Sequence, residues 1–501
     1  MTLSAALLIG AATAALAQEP QCGGTLNFTA PYGSTFGTLD IQSSSSTQDE
    51  FPSKAIHRSP YDWDSNKDEP VLELASGVEV SNEGRTFTYT LRDATFHDGK
   101  VLTSDDVIYS YKRLATPANS FPGARYFTNV EGIAAFQDGS SPDISGLQRI
   151  DDKTFSITFT TATEPGYDLM RGNAAIYQDG AAEMEGFQSN PIGLGPFRFV
   201  ENIPGSRVVV EKFEDFYEEG KPYLDRVNLI LLGDASARDV AFRNQEIDVT
   251  VLGPSQYVAY RADPALKENI LEVAEVYTRN VGFNPEFEPL SHKGVRQAFN
   301  HAINSELIID RLVKNKAYRA TGFLPISSPA YNPDAVPYAY DEELARQLLA
   351  DAGYPDGFDM TLTATQNESW GPTIVEAIIP MLNEAGIRVT ANPVEGSVLG
   401  EVVPAGDFES FMWSNVSSPD PFAVMTSFYS QTPVSAGNYW RFNSPAFDAP
   451  YEQARAETDP EARTQILRQA NEVIQDEVPM WFFNYTQSPR SPEFWRVDVW
   501  T

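Results

Sequence analysis

The sequence predicts a mixed α/β (α+β) protein, and three features of its 501 residues lead there. In short runs through the first half, apolar residues alternate with polar ones at period two, the signature of half-buried strands. Beyond about residue 275 apolar residues recur at helical spacing in capped segments, with short strands between them. The 33 glycines and 35 prolines are spread along the chain, which argues against a collagen-like or low-complexity polymer.

Taken in order, Gly24–Thr29 reads as a first strand, followed by a Ser-rich loop from Ser43 to Thr47. Val71–Ala75 is the next apolar run, and in Gly84–Leu91 the side chains of Phe87, Tyr89 and Leu91 alternate with threonines. Phe96-His97-Asp98-Gly99 reads as a turn, and Thr103 caps a helix whose first turn carries Asp105 and Asp106. Lys153–Phe159 alternates again. Asn190–Phe197, punctuated by glycine and proline, reads as a crossing that leads into the strand Arg207–Phe213.

In the second half, Val295, Phe299, Ala302 and Ile303 share one helical face. Asp341 caps a helix carrying Leu344, Leu348, Leu349 and Ala352, which Gly353 stops. The helix between Pro372 and Gly386 contains Pro380, which removes a backbone donor and crowds the preceding turn, so a kink or an early end is expected. Ile387–Thr390 is a strand. Asp459-Pro460-Glu461 opens a last helix that buries Ile466, Leu467, Ala470, Val473 and Ile474.

Thr2–Leu16 is an uncharged run rich in Leu, Ala, Ile and Thr that ends in Ala15-Leu16-Ala17, the small-x-small pattern of a signal-peptidase site. It is too short to span a bilayer, so residues 1–17 read as a cleaved secretory signal, although no Lys or Arg precedes the run. No later stretch approaches 18 apolar residues. A soluble, exported mature chain is therefore expected. Cys22 is the one cysteine, which forbids an intrachain disulfide, and Glu19-Pro20-Gln21 before it lacks the small and aliphatic residues of a lipidation site. It reads as a free thiol.

The formal net charge of −33 repels phosphate backbones, so nucleic acid is not an expected partner. Enzyme chemistry finds little support. The four histidines (His57, His97, His292 and His301) include no i, i+4 pair of the kind that holds zinc, and one cysteine cannot build a thiolate cluster. His97 beside Asp98 imitates a catalytic dyad but stands in a strand-turn context. No Gly-x-Ser-x-Gly elbow, phosphate loop or dinucleotide fingerprint is present. Neither catalytic residues, nor a metal, nor a cofactor are expected.

Five blocks recur in an order that carries a resemblance. They are Leu74–Val80 with Asn82–Asp93; Phe96–Val107; Pro191–Phe197; Phe283-Asn284-Pro285 with Val295–Ile303; and Tyr340-Asp341 through Ala352-Gly353-Tyr354. Together they resemble the peptide/opine/nickel type of extracellular solute-binding proteins, family 5, the binding components of ABC importers. The resemblance implies a bilobal fold like that of the type II periplasmic binding proteins, with an extra inserted domain. It also implies the boundaries: residues 18–55, 190–275 and 480–501 form a discontinuous lobe I, 56–189 the inserted domain II, and 276–479 lobe III. The function implied is capture of a small solute by hinge closure and delivery to an inner-membrane ABC permease, by a monomer that performs no chemistry.

In peptide-binding members of that family an Asp shortly after a Trp pairs with the ligand's ammonium. The matching stretch, Met412–Phe422, puts Asn415 or Val416 there, a departure; Asp420 is either a substitute or a helix cap. Tyr32, Trp413, Tyr439 and Trp440 are candidate aromatic walls, with Trp413 and Trp440 favoured by the motif they flank. Arg279 and Asn280 precede the Phe283 block on a strand expected to face the cleft. Arg279 suits a ligand carboxylate or phosphate, or an interlobe salt bridge. Peptides or peptide-like solutes such as opines are the expected ligands; an oligosaccharide or another neutral polar solute is the alternative.

Overall fold

The computed structural model describes residues 22–30, 36–44, 47–64, 69–365, 371–416, 420–434, 437–457 and 459–491. The expected signal, residues 1–17, lies outside them, as does Tyr32. Helices and strands are mixed throughout, and the sheets separate into three bodies with their own cores.

The first sheet has the order Thr25–Ala30, Arg226–Leu231, Arg207–Lys212, Phe197–Ile203, its first pair parallel and the others antiparallel. Its inward residues Leu26, Phe28, Val208, Val210, Val227 and Leu229 pack against Ala55 and Ile56 of the helix Thr47–Ile56. The alternation read in Gly84–Leu91 and Lys153–Phe159 produces the second sheet, ordered Ala75–Ser81, Thr86–Leu91, Thr154–Thr158, Leu147–Arg149 and antiparallel throughout. Phe87, Tyr89, Phe155 and Ile157 point into a core closed by Val107 and Leu114 of the helix Ser104–Ala115. Thr103 and Asp106 cap that helix reciprocally, which satisfies two donors of its first turn.

Between these two bodies the chain passes through Pro191–Phe197. A Cβ on Gly193 would lie 1.9 Å from the Ile56 carbonyl oxygen, and one on Gly195 would lie 2.3 Å from that of Ala55. No side chain fits there. His97 closes the same crossing by donating from Nε2 to Gly195 O at 2.9 Å, while its Nδ1 accepts from Gly193 N at 3.3 Å. Both ring nitrogens are thus committed to backbone, and the apparent His97-Asp98 dyad is a fastening. Burial lowers the pKa of His97 to about 4 and keeps the ring neutral.

The third sheet is seven-stranded and mixed. It runs Thr250–Val251, Met480–Ser491, Leu271–Phe283, Ser410–Val416, Phe358–Thr365, Ile387–Val394, with Ala317–Arg319 also on Met480–Ser491. One face carries Val295, Phe299, Ile374, Ile378 and Leu382. The opposite face carries Trp440, Phe447, Ile466, Leu467 and Ala470.

Two expectations shift. The helix Gly371–Ala385 runs unbroken through Pro380. Pro380 sits on its exposed side while Ile374, Val375, Ile378 and Leu382 anchor the other, so packing outweighs the missing backbone bond. In Glu342–Asp351, Ala345 and Leu349 are buried but Leu344 is exposed. Met480–Tyr485 is a central strand of the third sheet, and Gln487–Ser491 pairs with Ala274–Leu271 and Val251–Thr250 beyond the register break at Ala274/Thr278. Two long strands, Leu271–Phe283 and Met480–Ser491, therefore cross side by side.

Candidate functional site

On the strand pair Leu271–Phe283 and Ser410–Val416, Arg279 stands opposite Ser414 and Asn280 opposite Trp413. Because successive side chains alternate, Asn280 and Trp413 share the face of Phe411, whereas Arg279 shares the face of Val281. The sheet thus separates two residues expected to line one cleft. Trp413 is partly exposed, with its ring edge-on to Phe411 at 5.9 Å, and stays available to a ligand. Asn280 is buried, donating to Thr278 O at 3.2 Å within its own strand.

Trp440 must be removed from the site. It is 2% exposed, stacked between Phe411 at 5.1 Å and Phe428 at 5.9 Å. A Cβ on Gly282 would approach its ring to 2.2 Å, so the indole fills the space over bare backbone and serves as core. Tyr439 is partly buried against the same core. Tyr32 lies outside the described residues, and so does the side chain of Asn415. Asn484, which pairs with Arg279 across the ladder, was not singled out by the sequence; it is fully buried, and its amide has no hydrogen-bond partner among the described residues.

Asp420 lies where the third body meets the second. Its carboxylate caps the helix Pro421–Met425, accepting from Phe422 N at 2.9 Å. The cap reading therefore holds, and the surroundings add to it. Burial raises the Asp420 pKa to about 6; Arg463 opposes this, while Asp168 and Glu164 reinforce it. Glu164 precedes and Asp168 lies within the short helix Gly166–Leu169 of the second body, and Arg463 belongs to the helix Pro460–Glu477 of the third. Arg463 reaches across to Glu164 at 3.1 Å, and Arg171 pairs with Asp168 at 3.4 Å. Tyr167, whose pKa is raised by burial and then by Asp420 and Glu164, faces the same group, with Trp63 at 6.4 Å. Arg463 also covers the ring of Phe422 at 4.8 Å, which stacks on Tyr451 at 4.6 Å.

Sequence reading missed Glu164, Tyr167, Asp168 and Arg463, which converge only through the fold. One signal was available. Arg463 is a cation at the end of a helix's first turn, where the macrodipole favours anions. Chemically the arrangement gathers three carboxylates, two guanidiniums and aromatic faces, groups suited to holding a charged partner. Among the described residues no group of three His, Cys, Asp or Glu side chains is placed to hold a metal ion. No described helix is long and apolar enough to cross a membrane.

The family model described as bacterial extracellular solute-binding proteins, family 5 Middle, matches residues 69–436. The chain belongs to this family. As a family 5 solute-binding protein it is similar to Heme-binding protein A of Haemophilus influenzae, 28% identical over 437 residues, covering 81% of this chain and 77% of that one. It is 27% identical over 462 residues to the glutathione-binding protein GsiB of Salmonella paratyphi A, covering 89% and 86%. Its fold matches that of the periplasmic binding protein DppA of Helicobacter pylori in complex with the peptide STSA, with a TM-score of 0.76, 23% identity and 94% coverage of both chains. The fold is thus that of the type II periplasmic binding proteins, and the family's members are transport receptors that bind solutes.

Proposed function

We propose that this solute-binding protein captures a peptide or peptide-like solute carrying a free ammonium group, and passes it unchanged to an inner-membrane ABC permease. The single observation that carries the ligand class is the position of Asp420. A carboxylate whose pKa is raised chiefly by burial, and then by Asp168 and Glu164 against the opposing Arg463, stands at the meeting of two bodies, where a cationic head group would offset the excess of negative charge. Relatives named for glutathione and dipeptide binding support the class. The oligosaccharide alternative is not favoured by those relatives.

The proposed division is lobe I at residues 18–55 and 190–275, the inserted domain at 56–189 and lobe III from 276 to about 485. The last strand then returns to lobe I, and the paired strands Leu271–Phe283 and Met480–Ser491 serve as the hinge. Trp413 forms an aromatic wall of the site; Arg279, on the opposite face of the sheet, does not reach the same solute. The protein acts as a periplasmic monomer and without catalysis, a reading supported by the family and by the commitment of His97 to backbone.

A thermal-shift comparison of free and N-acetylated di- to pentapeptides tests the ligand class, since a tight ligand in excess raises apparent stability by several kcal/mol. Free peptides should raise the midpoint, acetylated ones should not, and Asp420→Asn should abolish the difference. A rise with sugars and none with peptides contradicts the proposal.

A further inference from the structure

We infer that Glu164 and Arg463 form an interlobe latch, with Arg463 as the positioning residue that holds the inserted domain against the Asp420 cap and biases the protein toward closure before solute arrives. Three independent features lead to it. The pair joins two bodies 299 positions apart in sequence at 3.1 Å. Arg463 stands at the first-turn end of Pro460–Glu477, where a helix prefers anions, so local propensity does not account for it. Its guanidinium is buried, and Nε has no hydrogen-bond partner among the described residues.

The asymmetry of burial shows which state the pair acts on. The Arg463 side chain is 8% exposed and that of Glu164 37%. With the lobes apart, each group faces water and the pair contributes little. With the lobes together, Arg463 is desolvated, and Glu164 and the neighbouring Asp420 compensate it. Loss of Glu164 therefore penalises the closed arrangement selectively, and an equilibrium shifts only by such differential terms. The face of Phe422 beneath the guanidinium, 4.8 Å away, fixes its plane so that the fork points at the inserted domain.

The inference rests on the two-lobe reading, but not on the identity of the solute, and it is tested without solute. In a Cys22→Ser background, spin labels at Glu79→Cys and Glu343→Cys, both exposed, report the distance between inserted domain and lobe III by pulsed electron resonance. The ligand-free protein should show a short-distance population. Glu164→Gln, at a part-exposed position that leaves the fold intact, should deplete it about tenfold, and Arg463→Lys should retain much of it. Glu164→Asp, which keeps the charge at the same position, should retain most of it, which a merely steric role for the Glu164 side chain would not allow. Unchanged distances in Glu164→Gln, or a loss in Glu164→Asp as complete as in Glu164→Gln, overturns the latch. If added peptide moves no label in the unaltered pair either, the two-lobe reading itself fails, a result distinct from loss of the latch alone.

Discussion

Residues with fixed roles in this molecule are those whose surroundings allow nothing else. Gly193 and Gly195 leave no room for a Cβ, so Gly193→Ala forces the crossing apart from Ile56 and should destabilise by about 1–3 kcal/mol, read by chemical denaturation. Trp440→Ala should remove about 3–5 kcal/mol by leaving a cavity between Phe411 and Phe428. Its effect belongs to stability, whereas Trp413→Ala should weaken binding of a peptide and leave the denaturation midpoint nearly unmoved. The buried histidines set a pH dependence. Burial lowers the His57 pKa from 6.5 to about 4, so between those values the unfolded chain takes up a proton that the folded chain refuses. Stability from this residue is complete above pH 6.5 and declines toward pH 4, by a sum on the order of 3 kcal/mol. Asp420 acts in the opposite sense between its unfolded value of 3.8 and about 6, protonating first in the folded state, so Asp420→Asn should steepen the loss on acidification. Urea unfolding at pH 7 and pH 4.5 decides this; equal stability at the two pH values contradicts it.

Elements were legible in the sequence wherever one side of them is buried. Period-two runs gave Thr86–Leu91 and Thr154–Thr158 because one face of that sheet packs on a core, and Thr103 and Asp106 announced their helix by cap chemistry. The reading failed at Pro380, where a local rule met a tertiary override: the apolar side of Gly371–Ala385 holds the helix together across a residue that cannot donate. That strain has a measurable consequence. Pro380→Ala should stabilise the protein by up to about 3 kcal/mol, since the position is exposed and the helix is already formed. No gain in the denaturation midpoint would show that the helix has relaxed around the ring at no cost. The course of the last strand was not legible for a different reason: nothing in its composition marks where Met480–Ser491 changes partners at the register break, because its partner strand crosses with it.

At the scale of the whole molecule, family and fold class were readable because motifs in order constrain topology, whereas the interlobe cluster was not, because Glu164, Asp420 and Arg463 approach one another only after the second and third bodies meet. A pattern of period two or 3.6 reports which side of an element is buried and is silent about which elements from distant segments meet. Of the aromatic candidates, Trp440 was drawn in by its motif and proved to be core; Trp413 remains at the surface. The central claim is that lobes joined by two strands close over an ammonium-bearing solute, with near-complete switching requiring roughly 5 kcal/mol of preference for the closed state. Small-angle scattering of the purified protein, titrated with a free tetrapeptide and with its N-acetylated form, addresses it directly. The radius of gyration should contract with the free peptide and stay constant with the acetylated one. Contraction with both, or with neither, would contradict the account.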